Sequence, residues 1–429
     1  MLRPLAPLHF PFYTPKGAIP VGGALRDLLL GRRPKDLDFL AEDPLKAAEE
    51  ARMALSGSLF PLDKGRGQYR VVAGGYTLDF APLEGGLEED LLRRDYRLNA
   101  FVLLKGVVFG PRGAEEDVRR RVLVPVREEN LYQDHLRSLR GVRLAATLGL
   151  GLPRATRAAL KRHAAFLQQN PALLPARERV REELHRLLLS PKAAFGLGVL
   201  AEVGLLEVYL PELAFLVGLE QGGVHHLDAW RHTLSVLFHL LWLWPEAPLP
   251  ARLAALYHDA GKPLTRRFDP KVGRFRFLGH AEVGAEVARA TLGALGFPKG
   301  VVEAAAELVR RHMDRPPEEG KALRRFYFRR QALLPALPYL QAADRLAAKK
   351  VEEEAWVLLW AYKEALKTPL PQKPLLSGEE VMALLGLKPG PGVGRALEVL
   401  LEAQALGEVG SKGEAKAFLL ARFAPKGVG

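Results

Sequence analysis

Asp36 and Asp38 stand two residues apart at the start of an apolar run, Asp36-Leu37-Asp38-Phe39-Leu40. On a strand, residues i and i+2 leave the same face, so both carboxylates are delivered to one place. Two anions side by side repel unless a cation lies between them, and a divalent metal such as Mg²⁺ suits oxygen ligands. Upstream, Gly22-Gly23 separates a short apolar run, 18–21, from an amphipathic segment, 24–30. Glycine lets backbone N–H groups approach a ligand, and a helix start carries partial positive charge. Gly22, Gly23 and Arg26 therefore suit a phosphate. A phosphate cradle beside a carboxylate pair is the equipment of metal-assisted phosphoryl or nucleotidyl transfer.

A second chemistry is written in histidines. Seven of the eleven fall between 216 and 350: His225, His226, His232, His239, His258, His280 and His312. His258-Asp259 closes an apolar helical pattern, His232 lies on an earlier one, His280 opens a later one, and His312 ends another. Asp344 follows in QAADRLA. Taken singly, each fits a helix or core position; gathered, imidazoles and carboxylates suit a transition metal or Mg²⁺ whose bound water could attack a phosphoester.

The elements that must position these groups follow from pattern. Residues 18–40 read as strand, glycine turn, short helix, turn and strand, with Gly31 stopping the helix and Pro34 preventing its return. Further strands are expected at 68–72, 76–82, 100–104 and 107–109, giving a small mixed sheet with helices on one side. Asp79, mid-strand in YTLDFAP, is either a third acid on the carboxylate face or a sheet-edge aspartate. Between 87 and 100, Arg93, Arg94, Asp95, Arg97 and Asn99 crowd before a strand, a setting for triphosphate or ribose contacts. From 131 onward the pattern is helical. Asp134, Arg137, Arg140 and Arg143 recur every third residue, along one helical stripe. Near the end, Ser377 with Glu380 forms a capping-box pattern, followed by a helix, the turn KPGPGVG and another helix. Lys388 and Arg395 there could hold a sugar–phosphate chain, or the segment is a plain helical joint.

Composition bounds the rest. The 429 residues allow two to four domains. The formal net charge of +13 favours a polyanionic partner, although an Arg-rich, heat-adapted proteome is basic anyway. Absent Cys, scarce Met and Asn and abundant Pro suit a thermophile. Without cysteine there is no disulfide framework or thiol chemistry. The apolar runs are too short and interrupted to span a bilayer, and a cytoplasmic location is the default expectation.

The stretch GGxxRD…DLD resembles the signature of the nucleotidyltransferase superfamily, and with Arg26-Asp27 it is similar to the bacterial tRNA nucleotidyltransferase and poly(A) polymerase family. The string from Asp90 to Ala100 resembles that family's DLxxRDxTxNA motif, with Arg97 where Thr is common. QDHLRSLRGVR resembles EDxxRxxRaxRF, with Gln133 in place of Glu, and RERVREEL resembles ERVxxEL. The resemblance implies a nucleotide site at Gly22, Gly23, Arg26, Arg94, Asn99, Asp134, Arg137 and Arg140. Asp134 and Arg137 would read the base, braced by Glu178 and Arg179. The glycine-rich acidic stretch usual after the strand is reduced to Gly110-Pro-Arg-Gly113…Asp117. The histidine-rich middle is similar to HD phosphohydrolases. That likeness places one divalent metal on His232, His258, Asp259 and Asp344, with His280 and His312 available to a second.

The expected architecture is an α+β nucleotidyltransferase head, 1–130, followed by an all-α neck, 131–215, an HD domain, 216–350, and a tRNA-binding tail, 355–429. The expected function is template-free, metal-dependent addition of nucleotides to the tRNA 3′ end, with tRNA, CTP and ATP as candidate partners and no membrane. In full CCA-adding members a long flexible loop precedes the RRD motif. Here Phe80 is followed by APLEGG and then by the RRD helix, which leaves a tight turn. A CC-adding enzyme, with a separate A-adding enzyme acting next, is the narrower expectation. The alternatives are a full CCA-adding enzyme, a poly(A) polymerase, or an HD phosphohydrolase whose head only binds RNA.

Overall fold

The computed structural model describes residues 2–83, 85–221, 227–348 and 352–423; His225 and His226 lie outside the described residues. The chain divides into two units, Met1–Ala214 and Phe215–Gly429.

The first unit opens with β1 (Leu2–Pro7), β2 (Ile19–Val21), α1 (Gly23–Leu29), β3 (Asp36–Ala41), α2 (Pro44–Ala54), β4 (Ser58–Asp63), β5 (Gln68–Ala73), β6 (Tyr76–Pro82), α3 (Leu87–Leu92), β7 (Val102–Leu104), β8 (Val107–Pro111) and α4 (Ala114–Arg120). The strands form one eight-stranded sheet in the order β1-β8-β7-β2-β3-β6-β5-β4. It is mixed: β3 runs parallel to β6, with Asp38 opposite Asp79, and antiparallel to β2. Alternation along β3 sorts its side chains. Leu37, Phe39 and Ala41 pack with Leu78 and Phe80 against Ala47, Ala48 and Ala51 of α2. Phe39 and Phe80 stack at 5.1 Å between ring centroids. Burying each such ring contributes roughly 1.5–3 kcal/mol, which pins the register and forces Asp36 and Asp38 to the other face.

Two expectations change here. The sheet is larger than expected, because LRPLAP forms edge strand β1 on β8. Its two prolines argue against a strand, yet an edge tolerates residues that cannot donate to the ladder. Asp79 is not on an edge: β6 lies between β3 and β5.

The rest of this unit is helical: α5 (Asn130–Gln133), α6 (Arg137–Leu148), α7 (Arg154–Gln169), α8 (Arg177–Leu188), α9 (Ala193–Glu202), α10 (Leu206–Tyr209) and α11 (Pro211–Ala214). Helix α6 begins only at Arg137. Asp134 precedes it in extended conformation, so it does not share the helical stripe of Arg137, Arg140 and Arg143.

The second unit contains α12 (Ala229–Leu243), α13 (Leu249–Tyr257), α14 (Lys262–Thr265), β9 (Arg267–Asp269), β10 (Arg274–Arg276), α15 (His280–Ala294), α16 (Lys299–Arg311), α17 (Gly320–Phe328), α18 (Ala336–Leu346), α19 (Glu352–Ala365), α20 (Gly378–Leu385), α21 (Pro391–Ala405) and α22 (Lys412–Phe423). The antiparallel β9–β10 hairpin departs from the all-helical expectation. It is held by Phe268 against Phe275 and by Arg266 on the Phe275 ring at 3.8 Å. At α20, the Glu380 N–H donates to Ser377 Oγ and the Ser377 N–H to Glu380 Oε2, completing the expected capping box. No helix among the described residues is long and apolar enough to cross a membrane.

Candidate active site

In the first unit, a cleft of about 420 Å³ is lined by Arg26, Asp36, Asp38, Arg94, Asn99 and the α6 arginines, together with Lys35 and Arg186. Asp36 is exposed and Asp38 half-buried, and neither makes an ion pair among the described residues. Burial first, then the neighbouring Asp79 and Asp36, raise the Asp38 pKa, while Arg94 and Arg26 pull it down. Asp79 is spoken for: Arg70 grips it with two hydrogen bonds of 2.7 Å. Two unpaired carboxylates on one face, the more buried one held above its ordinary pKa, fit a divalent cation.

Gly22 is needed by space. Its φ is +76°, and a Cβ there would lie 2.8 Å from Arg94 Nη1 and 3.1 Å from Asp38 Oδ2. Its N–H, however, donates to the Phe101 carbonyl at 2.9 Å, so it is not a free phosphate donor. Glycine here serves close approach of the arginine and the carboxylate.

The arginines are braced. Asn99 accepts from Arg26 Nη1 on its side chain and from Arg94 Nη1 on its main-chain carbonyl, the latter at 3.2 Å, and donates to Asp95 at 3.0 Å. Arg94 also holds Asp90 at 3.1 Å. Arg97 turns the other way, to Asp117 at 3.5 Å, beside Gly113, where a Cβ would meet its guanidinium at 2.7 Å. The reduced segment 110–117 thus positions an arginine.

On α6, Arg137 donates to the Asn130 carbonyl at 2.8 Å. Arg140 and Arg143 share Glu183 of α8 at 3.2 and 2.8 Å. The expected base reader Asp134 does not line the cleft. Its carboxylate accepts from the Leu136 N–H at 3.2 Å and from Arg179 at 2.8 Å. Burial raises its pKa, but these hydrogen bonds win and lower it. Arg179 braces the start of α6 as expected; Glu178 instead contacts Arg177. Reading the sequence missed Glu183, which sat unremarked in the ERVxxEL-like string, and the Tyr96–Gly141 contact. There the Tyr96 hydroxyl donates to the Arg137 carbonyl at 2.9 Å. A distance between elements leaves no local sequence signal.

In the second unit a separate cavity of about 690 Å³ has Asp259, Lys262, His280, His312 and Asp344 in its lining. His232, His258 and Asp259 form one group able to hold a metal, and Asp259, His280 and His312 another. His232 Nε2 lies 2.9 Å from Asp344, and His258 Nε2 3.2 Å from Asp259. The Nδ1 atoms of His258, His280 and His312 meet the carbonyls of Ala255, Phe277 and Val309 at 2.9, 2.8 and 2.6 Å. That backbone anchoring fixes Nδ1 as the protonated nitrogen and aims each Nε2 lone pair inward, the arrangement metal-ligating histidines require. Burial and the other imidazoles push His312 down to about 3, keeping it neutral and able to ligate. Burial alone would raise Asp344, but the His232 hydrogen bond holds it well below the usual carboxylate range. All six expected residues converge. Lys262, which sequence reading did not single out, reaches Asp259 at 2.7 Å and also contacts Gln221.

A carboxylate pair on a mixed sheet under braced arginines, with a helical continuation, defines a nucleotidyltransferase, here with a second, histidine-built centre. Comparison with known proteins agrees. The HD domain family matches residues 229–349, and the family described as "Probable RNA and SrmB- binding site of polymerase A" matches 149–216. The chain is 75% identical to the CC-adding tRNA nucleotidyltransferase of Thermus thermophilus, over 97% of this chain and 96% of that one. It is 46% identical to the A-adding tRNA nucleotidyltransferase of Deinococcus radiodurans, over 98% of each. Among solved structures, the Bacillus stearothermophilus CCA-adding enzyme in complex with CTP matches at a TM-score of 0.67 and 27% identity, over 94% of this chain and 93% of that one. The chain belongs to the tRNA nucleotidyltransferase family.

Proposed function

We propose that this tRNA nucleotidyltransferase adds two cytidylates from CTP and leaves the terminal adenylate to an A-adding enzyme. The observation that carries this is the connection before the RRD motif: β6 ends at Pro82 and α3 begins at Leu87. So short a turn has no length for a lever that could rearrange the base pocket between two nucleotides of different size and hydrogen-bond edge. The Thermus thermophilus relative, named CC-adding, supports the same reading.

In this proposal Asp36 and Asp38 hold Mg²⁺, which when bound activates the terminal hydroxyl and neutralises the triphosphate. Arg26 and Arg94, held by Asn99, receive the phosphates. Arg137 offers guanidinium donors to the acceptor edge of cytosine, and Arg140 with Arg143 lines the wall behind it. Asp134 sets the start of α6 through Leu136 and Arg179. The histidine-built centre holds a divalent metal and cleaves phosphate esters separately from addition.

The test incubates tRNA lacking its 3′ end with CTP, ATP, or both, and sizes products at single-nucleotide resolution. Addition of two residues with CTP, and none to a tRNA ending in CC with ATP, is expected. Efficient A addition to the CC-ended tRNA overturns the CC-only reading. The ATP arm is decisive because the A-adding Deinococcus relative also aligns end to end.

A further inference from the structure

Three of the five tryptophans stand together on the surface of the second unit. Trp242 on α12 is 59% exposed, and Trp356 and Trp360 on α19 are 49% and 63% exposed. Phe238, one turn before Trp242, and Val357 extend the patch and are exposed as well. The Trp242 and Trp356 rings meet edge-on at 6.0 Å, so the two helices offer one continuous apolar face. At roughly 250 Å² per indole, the exposed parts of the three rings alone come to on the order of 400 Å², which already reaches the size of the largest patch on ordinary monomers.

The charges around this face say what fits it. Along α19 the exposed stripe runs Glu353, Trp356, Val357, Trp360, Lys363, the spacing of one helical face. Its first turn is acidic, Glu352 to Glu354, and its last turn carries Lys363. Glu354 pairs with Arg345, whereas Glu352, Glu353 and Lys363 make no ion pair among the described residues. The acidic turn disfavours the phosphates of an RNA. It does suit a second α19 lying antiparallel.

We propose that this face seats a second copy of the same chain, with α19 packed against α19 across a two-fold axis. A two-fold contact is self-complementary, so each helix must supply both halves of every pair. An antiparallel register centred on Leu358 sets Trp356 beside the partner's Trp360 and Glu353 beside the partner's Lys363. Trp242 and Phe238 flank the tryptophan layer. A parallel arrangement would instead stack Glu on Glu.

Sedimentation velocity on the full chain, from low to high micromolar, tests this. The unaltered protein is expected to dimerise. Trp356→Glu with Trp360→Glu should weaken the dimer by about 100-fold, because buried indoles at an interface centre carry most of the affinity. Glu353→Lys and Lys363→Glu should each weaken it about tenfold, and the double reversal in one chain should restore it, since each helix meets its own reversed copy. These exposed charge changes guard against a tryptophan variant that misfolds. A protein monomeric throughout overturns the proposal, as does a dimer indifferent to the tryptophans or a double reversal that fails to restore. A monomer whose tRNA affinity falls in the tryptophan variant overturns it in favour of RNA docking.

Discussion

The two candidate centres solve opposite problems. In the first unit, Asp36 and Asp38 make no ion pair among the described residues and the neighbouring cations are tied down: Arg94 by Asp90, Arg26 by Asp27 and Asn99, Arg140 by Glu183. In the second, Asp344 is held by His232 and Asp259 by Lys262, while His258, His280 and His312 are anchored through Nδ1 on backbone carbonyls. An open site of free anions and braced arginines suits a large, charged, changing substrate, because nothing of its own must be displaced when phosphates arrive. A cluster of largely buried ligands suits metal held in a fixed geometry. Sheet and helices matter here too. A strand delivers two carboxylates to one face at fixed spacing. Helix ends collect His258, His280 and His312 from distant parts of the chain, each anchored by a local carbonyl.

The largest effect should break the comparison cleanly. Asp38→Asn removes the half-buried member of the pair while keeping its shape. Addition is expected to fall by about a thousandfold or more, with tRNA binding retained. Phosphoesterase activity of the same protein, assayed with a chromogenic phosphodiester and added metal, should be unchanged. A parallel loss of both would mean that the centres are not separate.

The converse variant, His258→Ala with Asp259→Ala, should abolish metal-dependent phosphoesterase activity and leave CTP addition within about twofold of normal. In isothermal titration with a divalent metal, the unaltered protein is expected to show a binding event that this variant lacks. Equal loss of addition in a folded variant would sink the division of labour.

Much of this contrast was legible in the residues. The pair Asp36-Leu37-Asp38 needs only strand alternation to be placed, and the histidine-rich middle needed only composition and spacing. The motif-like strings carried the rest of the family reading. What stayed hidden depends on where helices begin and on distances between elements. Asp134 looked like one more step of a three-residue stripe, but α6 starts after it, because an Asp carboxylate that captures the Leu136 N–H belongs at a helix entrance. β1 was hidden because its prolines suit only an edge, and edge status is a property of the whole sheet. Glu183 and Lys262 sit in ordinary helical surroundings and gain meaning from what folds against them.

A second pair of histidines sharpens the contrast within one residue type. In the metal-type cluster each imidazole has a carboxylate in reach or an anchored partner; His163, on α7, pairs with no acid among the described residues. It is buried, meets Ser138 Oγ at 2.7 Å and His135 at 3.0 Å, and burial with the His135 charge pushes it down to about 4. The unfolded chain protonates this residue near pH 6.5, the folded one only near 4. Its contribution is therefore complete above 6.5 and is lost as pH falls through that window, on the order of 3 kcal/mol in all. Melting curves from pH 7.5 to 4.5 should show a shallower acid decline in His163→Gln than in the unaltered protein. Identical slopes would remove His163 from the account.

The smallest expected effect concerns how α6, the helix proposed to present Arg137 to the base, is held to the carboxylate unit. Gly141 lies inside α6, where glycine is about 1 kcal/mol worse than alanine. If nothing pressed on it, Gly141→Ala would stabilise the protein. A Cβ there, however, would fall 1.8 Å from the Tyr96 hydroxyl and 2.4 Å from its Cζ. Tyr96 is fully buried, so the ring has nowhere to go without moving α6. Overpacking of this kind costs about 1–3 kcal/mol, and set against the helix term it predicts a net loss of up to about 2 kcal/mol. The change should also raise KM for CTP, because Tyr96 holds the Arg137 carbonyl at the turn that presents the Arg137 guanidinium. Adding Tyr96→Phe removes the closest atom of the clash and should recover part of both losses. A stabilised Gly141→Ala variant with unchanged KM would show that the helix is positioned by Glu183 and Arg179 alone.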